Sequence, residues 1–335
     1  MKELLLSICV PTRNRASRLQ TMLNSLLPQI DVLGKERIQI VISNNASEDN
    51  TDDVIRKFID KGIEIEYYKQ LKTIGNTNLN FVVSKAKGKY ILLSGDDDIY
   101  APNFISTIQP YLESENELGI LHWNRLSGDD NCTNNQIHDN QFEQAVIEYP
   151  TFDDFIEGTM SSSNFISSVI FNAKCWNEAP LELISRKWIG YKTWSRIIFG
   201  ASKLNLRCIY YYFPLVLQRM PLQKEWTKLW SYYAIYELGS IFDVLDKTHP
   251  GLLNKWLKRL HDKTYYNIEE MIDGIICDVD FYREHQIDME MYLMLEEKKR
   301  LRRWLNAKDP QKEQRKYKKR MYYKSLVKKI LKHLI

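Results

Sequence analysis

The sequence has few cysteines, and no two of them are spaced like a metal or disulfide motif. The five, Cys9, Cys132, Cys175, Cys208 and Cys277, are scattered along the chain, and none of the six histidines is paired at ligand spacing. Zinc sites and disulfide frameworks need such side chains at short, regular spacings. We therefore expect a protein of a reducing compartment without structural zinc.

Long hydrophobic runs are also missing. The best candidates are Leu4–Val10 and the broken run Ile209–Leu217, whereas a membrane-spanning helix needs about 20 predominantly apolar residues. Leu4–Val10 has no small-residue cleavage site after it, so it is not typical of a signal peptide and instead predicts a buried strand. We expect no membrane-spanning segment.

Charge is distributed unevenly along the chain. Residues 298–335 contain 16 Lys or Arg against Asp309 and Glu313, although the whole chain has a net charge of only +4. From Tyr317 onward, apolar residues recur at helical spacing among lysines, which predicts a basic amphipathic helix over 311–335. Such helices bind anionic membranes, so we expect a cytoplasmic protein held peripherally on the inner face of the cell membrane.

Of two other interpretations of this basic segment, one stays open and the other is not expected. A helix packed on its own domain or in an oligomer, with solvated lysines, stays open as an alternative. Nucleic-acid binding is not expected, because the apolar stripe suits lipid better than phosphates and bases and no nucleic-acid reading motif is present.

Strand and helix patterns alternate in the first 110 residues, which predicts a doubly wound α/β unit with a mostly parallel sheet. We expect an α/β catalytic domain over 1–220, an α-helical accessory region over 221–310 and the basic helix over 311–335. The expected strands are Leu4–Val10, Arg37–Ile42, Ile63–Tyr68, Tyr90–Leu93, 118–125 and 165–171, and the expected early helices are Ala16–Pro28, Thr51–Lys61 and Asn78–Lys87.

Three adjacent carboxylates, Asp96, Asp97 and Asp98, follow the predicted strand Tyr90–Leu93. Ligands of open α/β sheets bind outside the carboxyl ends of the strands. Desolvated carboxylates repel one another unless a cation neutralises them, and Mg²⁺ or Mn²⁺ prefers oxygen ligands of this kind. The alternative is a solvated acidic turn that caps the following helix.

Four motifs in order resemble family 2 glycosyltransferases of the GT-A fold, and most closely the subgroup of abequosyltransferase-like enzymes of bacterial cell-surface polysaccharides. The resemblance covers about residues 4–110 and continues more weakly to about residue 200. The motifs are Pro11–Arg15, Asn44–Thr51, the pair Gly75 and Asn78, and Ala86–Tyr90 leading into the Asp triplet.

The resemblance implies a nucleotide-diphosphate sugar donor, with a UDP-sugar expected, and Mn²⁺ or Mg²⁺ as cofactor. The residues implied for the donor are Pro11, Thr12 and Asn14 in the nucleotide pocket, Asn45 and Ser47 near the base and ribose, Gly75 and Asn78 beside them, and Asp96 and Asp97 at the diphosphate. Asp97 and Asp98 are implied as metal ligands. The first Asp of the usual Asp-x-Asp aligns with Gly95, so either Asp96 replaces it or Asp97 and Asp98 hold the metal.

The general base has no clear candidate in the sequence. An inverting transfer needs a carboxylate to accept the proton of the acceptor hydroxyl, and many relatives supply it from a Glu-Asp pair that is missing here. Glu178 and Glu182 lie roughly where it would fall, with exposed glutamates as the alternative interpretation. Asp153 and Asp154 read better as helix N-terminal residues.

Trp188, Tyr191 and Trp194 form an aromatic cluster near Gly190. Aromatic faces can stack on the C–H groups of a sugar, but packing in the core is the favoured interpretation.

These observations predict an inverting glycosyltransferase that acts on a glycan, expected to be lipid-linked, of a bacterial surface polysaccharide. A sugar nucleotidyltransferase is one alternative, although those enzymes usually have a glycine-rich loop after the first strand, and Pro11–Arg15 contains no glycine. A membrane-bound scaffold with a decayed site is another, suggested by Gly95 and by the missing base.

Overall fold

The computed structural model describes residues 3–129, 135–137, 144–159, 163–220, 229–262, 267–275, 278–312, 315–316 and 319. The chain divides into two compact units, Met1–Leu222 and Gln223–Ile335, and the first domain boundary predicted from the sequence is 220/221. The predicted basic helix over 311–335 lies almost entirely outside the described residues. Within them, every helix is too short or too polar to cross a bilayer.

The first unit is built on a mixed sheet with ten strands in the described residues. Along the sheet the order is β3-β2-β1-β4-β9-β6-β10-β5, with β7 beside β6 and β8 beside β10. The strands are β1 (Leu6–Thr12), β2 (Ile38–Asn44), β3 (Glu66–Lys69), β4 (Tyr90–Leu93), β5 (Ile99–Tyr100), β6 (Leu118–Gly128), β7 (Gln136–Ile137), β8 (Val146–Tyr149), β9 (Val169–Asn172) and β10 (Arg207–Arg219).

Helices cover this sheet. They are α1 (Ala16–Leu26), α2 (Thr51–Asp60), α3 (Thr77–Val83), α4 (Phe104–Leu112), α5 (Phe152–Thr159), α6 (Ala173–Asn177) and α7 (Lys192–Leu204). On α1 the side chains of Leu19, Met22, Leu23 and Leu26 are buried, and each such burial contributes about 1.5–3 kcal/mol to folding.

The half of the sheet from β3 to β4 is parallel, as predicted, and β1 is buried along nearly its whole length. Near-continuous burial is typical of parallel strands that are covered on both faces. In the other half, β9 is antiparallel to both β4 and β6. The predicted α/β class is confirmed, and its parallel part from β3 to β4 is built from the first 110 residues.

Helix α3 ends at Val83, before the predicted end at Lys87. The main-chain N–H groups of Lys87 and Gly88 donate instead to the Ser7 hydroxyl, at 3.1 and 2.8 Å, as the chain enters β4. Gly88 is required for this approach, because a Cβ there would lie 2.7 Å from the Ser7 nitrogen.

The second unit is helical in its described residues, as predicted. Its elements are α8 (Trp230–Tyr232), a π-helical turn (Tyr233–Glu237), α9 (Leu238–Leu245), α10 (Leu252–Leu260), α11 (Ile268–Gly274), α12 (Val279–Glu284), α13 (Gln286–Glu290) and α14 (Leu295–Leu305). Asp273 joins α11 to α14, because it accepts two hydrogen bonds from Arg300, at 2.9 and 2.8 Å, and one from the Trp304 indole at 2.9 Å.

Candidate active site

The carboxyl ends of β1, β2 and β4 lie at one edge of the sheet. Their parallel registers place Thr12 opposite Asn44 and Cys9 opposite Leu93. The donor and metal residues that the resemblance implies lie at the end of β1, in the loops after these strands, in the loop between β3 and α3, and in the first turn of α3. Those residues are Pro11, Thr12, Asn14, Asn45, Ser47, Gly75, Asn78, Asp96, Asp97 and Asp98.

The loops after β1 and β2 are hydrogen-bonded to each other. The Asn14 N–H donates to the Ser47 hydroxyl at 2.9 Å, and the Asn14 side-chain oxygen accepts from the Glu48 N–H at 2.8 Å. Asp49 accepts from the Ala16 N–H at 2.9 Å and so caps the start of α1 from the neighbouring loop. Asn14 has a φ of 51°, a left-handed conformation that Asn tolerates better than most residues.

A second chain of hydrogen bonds supports the loop after β2 from behind. The Asn44 side-chain oxygen accepts from the Ser47 N–H, and its nitrogen donates to Asp52, both at 2.8 Å. Burial raises the pKa of Asp52, but hydrogen bonds from Lys69, Tyr67 and Asn44 outweigh it and hold the pKa below its ordinary value. Burial and the Asp52 carboxylate raise the pKa of Tyr67 to about 12.

Asn45 and Asn78 bind protein groups with their side-chain amides. Asn45 accepts from the Ile74 N–H at 2.7 Å and donates to the Gly75 carbonyl at 3.3 Å, so it fixes the loop between β3 and α3. Asn78 is 3% exposed, accepts from the Ser43 hydroxyl at 2.6 Å and donates to the Ser43 carbonyl at 3.0 Å. The resemblance implies Asn78 as a donor residue, and in the structure its buried amide links α3 to β2.

The three adjacent aspartates are buried, with Asp96, Asp97 and Asp98 exposed by 4, 5 and 2%. They precede the short strand β5, not a helix. The interpretation of this segment as a solvated turn that caps a helix is therefore wrong.

Arginine side chains at the start of α1 form ion pairs with two of these carboxylates, those of Asp96 and Asp97. Arg15 Nη1 lies 2.8 Å from Asp96 Oδ1 and 3.2 Å from Asp97 Oδ2, and Arg18 Nη1 lies 3.3 Å from the same Asp97 oxygen. Burial raises the pKa of Asp96 more than Arg15 lowers it. Burial also opposes the charge of Arg15, but the carboxylates of Asp96 and Asp97 outweigh it and raise the pKa of Arg15.

Gly95 leaves a small space between the oxygens of its neighbours. A Cβ on Gly95 would lie 2.8 Å from Asp98 Oδ2, 3.1 Å from Ser167 Oγ and 3.3 Å from Asp97 Oδ1. In the described part of the chain, His, Cys, Asp and Glu side chains nowhere form a metal-binding group of three or more. Two carboxylates nevertheless fit Mg²⁺ or Mn²⁺, which often takes only one or two and fills its shell with phosphate oxygens and water.

The motifs of this edge lie in a stretch with a clear family match. Residues 7–166 match the family described as Glycosyl transferase family 2. This stretch is a family 2 glycosyltransferase domain. The abequosyltransferase RfbV of Salmonella typhimurium is 33% identical over 117 residues, which are 34% of this chain and 34% of that protein. The chain thus aligns with about a third of the length of this curated relative.

Solved structures share the fold of the family 2 domain. S. aureus TarS in complex with UDP-GlcNAc superposes with a TM-score of 0.55 at 15% identity, covering 89% of this chain and 78% of that chain. The mannosyltransferase PcManGT of Pyrobaculum calidifontis, in complex with GDP-Man and Mn²⁺, gives 0.50 at 13% identity, covering 85% and 76%. At these identities the likeness shows the fold alone, and it confirms the expected GT-A architecture.

The candidates for a general base do not join the acidic turn. Glu178 follows β9 and α6, and because β9 ends opposite Tyr90 at the start of β4, Glu178 lies at the other edge of the sheet. Its carboxylate lies there 4.0 Å from the Lys203 ammonium group. Glu182 is exposed in a short 3₁₀ turn. The structure therefore gives no support to Glu178 as the base.

Two structural interpretations from the sequence agree with the geometry. Asp154 accepts from the Thr151 hydroxyl at 2.6 Å and its N–H donates back at 3.2 Å, which is N-terminal capping of α5. Trp188, Tyr191 and Trp194 are 2, 8 and 4% exposed, so they pack in the core.

The arginines at the acidic turn were not predicted from the sequence. Arg15 and Arg18 contact the carboxylates, and Arg219, at the end of β10, donates to the Asp97 carbonyl. A signal for the first two was present, because residues three apart at the start of a helix point in similar directions. Arg219 gave no such signal, since it is about 120 residues from the acidic turn.

Proposed function

We propose that this chain is an inverting, metal-dependent glycosyltransferase that moves a sugar from a nucleotide-diphosphate sugar to an acceptor hydroxyl. The observation that carries the proposal is the buried pair Asp97 and Asp98 at the carboxyl edge of the parallel strands, with arginines beside it. Carboxylates that hold a metal, together with guanidinium groups, are suited to bind a diphosphate.

For the donor we propose a UDP-sugar whose base and ribose lie between the loops after β1 and β2. Pro11, Thr12, Asn14, Asn45 and Ser47 are the proposed walls of this pocket. Support comes from the hydrogen bonds that hold these loops in one arrangement, because a preformed pocket spends less binding energy on ordering.

Asp97 and Asp98 would hold Mn²⁺ or Mg²⁺, which supplies Lewis-acid stabilisation of the leaving diphosphate when bound. The chain's own contribution is to fix the two carboxylates. Arg15 and Arg18 orient Asp97 through one of its oxygens, and Arg219 anchors the turn through the Asp97 carbonyl. Gly95 keeps the space between the two carboxylates open.

For the acceptor we propose a lipid-linked glycan of a bacterial surface polysaccharide, reached from the cytoplasmic side of the membrane. This rests on the sequence of the basic segment 311–335, which is typical of helices that lie on anionic lipid. An enzyme that works on membrane-bound chains gains local concentration by binding the same surface.

The test is a panel of nucleotide sugars with Mn²⁺, read first by thermal unfolding and then by mass spectrometry of released nucleoside diphosphate. We expect one UDP-sugar to stabilise the protein and to be slowly hydrolysed. Release of pyrophosphate from a nucleoside triphosphate and a sugar phosphate would identify a nucleotidyltransferase instead. No stabilisation and no turnover with any donor would favour the scaffold and contradict the proposal.

A further inference from the structure

Arginine side chains hold the carboxylate that a metal would need. Asp97 Oδ2 lies 3.2 Å from Arg15 Nη1 and 3.3 Å from Arg18 Nη1, whereas Asp97 Oδ1 faces the space above Gly95. Oδ2 of Asp97 therefore binds two guanidinium groups, whereas Oδ1 would bind a metal. A cation that binds Asp97 must compete with both arginines for its charge.

A third arginine completes the balance of charge at this turn. The Arg219 guanidinium, on a residue 7% exposed, donates to the main-chain carbonyls of Asp97 and Arg18. Arg15, Arg18 and Arg219 thus lie at a turn that holds three carboxylates, those of Asp96, Asp97 and Asp98. Charges in such buried surroundings are weakly screened by water and salt. A divalent cation added alone would leave this group with excess positive charge.

We infer that Arg15 and Arg18 keep the acidic turn neutral in the empty protein, so that the metal and the diphosphate of the donor bind as a pair and not one by one. The inference rests on the proposed function and adds the way in which the donor site fills. The diphosphate restores the balance of charge and offers the guanidinium groups new acceptors. Arg15 can make this exchange because its side chain is 37% exposed.

Paired binding has a thermodynamic consequence that can be measured without turnover. If the diphosphate strengthens metal binding by some factor, the metal strengthens diphosphate binding by the same factor. Removing the competing guanidinium should raise the affinity for the metal alone and reduce this coupling. Coupling factors of about 5 to 150 are typical, so we expect an effect of about tenfold.

The experiment measures the binding of Mn²⁺ alone to the full chain, by electron paramagnetic resonance of free Mn²⁺. We expect Arg15→Gln to bind Mn²⁺ about tenfold more tightly than the unmodified protein. Arg15→Lys keeps the charge and should stay close to the unmodified protein. The matched control is Arg13→Gln, which removes the same charge from an exposed side chain of the same loop and should change little.

Each outcome decides the inference. Equal Mn²⁺ affinity of Arg15→Gln and the unmodified protein, with UDP and Mn²⁺ together still stabilising the latter against heat, would overturn it and leave the proposed function intact. Equal gains in Arg13→Gln and Arg15→Gln would overturn it as well. Absence of Mn²⁺ binding in every protein, with or without UDP, would overturn the metal site itself. If Arg15→Gln fails to fold, Arg18→Gln tests the same competition.

Discussion

At the scale of single residues, Asp97 and Asp98 are the proposed metal ligands. We predict that Asp97→Asn and Asp98→Asn each lower turnover by about 100-fold or more, because several kcal/mol of leaving-group stabilisation would be lost. Initial rates of donor hydrolysis with Mn²⁺ measure this. Asp60→Asn, at the exposed end of α2, is the control for loss of a carboxylate and should keep its activity. Full activity of both variants, or of the unmodified protein in excess EDTA, would contradict the metal site.

Asp52 supports the loop after β2, because it accepts a hydrogen bond from the side chain of Asn44. Its pKa is lowered in the folded protein, so its contribution is present above the ordinary value of 3.8 and is lost as the pH falls through the folded value. We predict that Asp52→Asn lowers the free energy of unfolding by about 1–2 kcal/mol near neutral pH, since hydrogen bonds to a charged group are lost.

The measurement for Asp52 is urea unfolding of the unmodified protein and the variant over a series of pH values. The difference between the two should shrink as the solution is acidified below about pH 4. Asp53→Asn, on the exposed side of the same turn, should show little effect at any pH. A difference that stays constant with pH would mean that packing, and not the charge of Asp52, is responsible.

At the scale of elements, α6 and α7 touch through a glycine. A Cβ on Gly200 would lie 1.7 Å from the carbonyl oxygen of Cys175, so any side chain forces the two helices apart. We predict that Gly200→Ala lowers the free energy of unfolding by about 1–3 kcal/mol, the usual range for overpacking. Gly158→Ala is the comparison, because its Cβ would meet only the movable side chain of Tyr149. Chemical denaturation of both variants would show whether the backbone contact decides the difference.

The elements that could be predicted are those whose pattern is local. The strands β1, β2 and β4 are apolar runs that end in turns, and α2 has a regular apolar face, so both kinds were found within a few residues. The strand β10 was not predicted, because Pro214 interrupts its apolar run and its register shifts near that point. The antiparallel direction of β9 depends on partners distant in sequence, which no local pattern reveals.

The same contrast between local patterns and distant partners applies to the candidate site. The position of the acidic turn could be predicted, since the carboxyl ends of parallel strands meet at one edge. The binding partners of individual side chains could not be predicted. The sequence did not indicate that Asn78 bonds to Ser43, and Arg219 reaches the acidic turn from a strand that was not predicted. Both depend on the packing of distant segments.

At the scale of the whole molecule, the concentration of positive charge in residues 298–335 predicts binding to anionic membranes. We predict that replacing Lys324, Lys328, Lys329 and Lys332 with Gln lowers the affinity for vesicles that contain anionic lipid by about 100-fold or more, at about 1 kcal/mol per basic residue. Binding of the unmodified protein should weaken with salt and be poor on neutral vesicles. Vesicle sedimentation measures the affinity of the variant, the effect of salt and the binding to neutral vesicles.

The control for this prediction changes the same number of exposed lysines elsewhere. Lys57, Lys61, Lys247 and Lys258 are exposed on α2, after α2, after α9 and on α10, and their replacement with Gln should leave vesicle binding nearly unchanged. Equal loss in both variants would show that net charge, and not the basic segment, attracts the protein to lipid. Thermal stabilisation by UDP and Mn²⁺ should be the same in both, since the proposed donor site lies before residue 100.

The space above Gly95 also bears on how this form of the acidic motif can change over generations. An aspartate at position 95 would restore the spacing common among relatives, but its Cβ would lie 2.8 Å from Asp98 Oδ2. Asp98 Oδ2 is the end of a movable side chain, so such an aspartate would displace the Asp98 carboxylate and not the backbone. The carboxylates of positions 95 and 98 would then compete for one place in the turn. A substitution at one of these positions should consequently change what the other can bind.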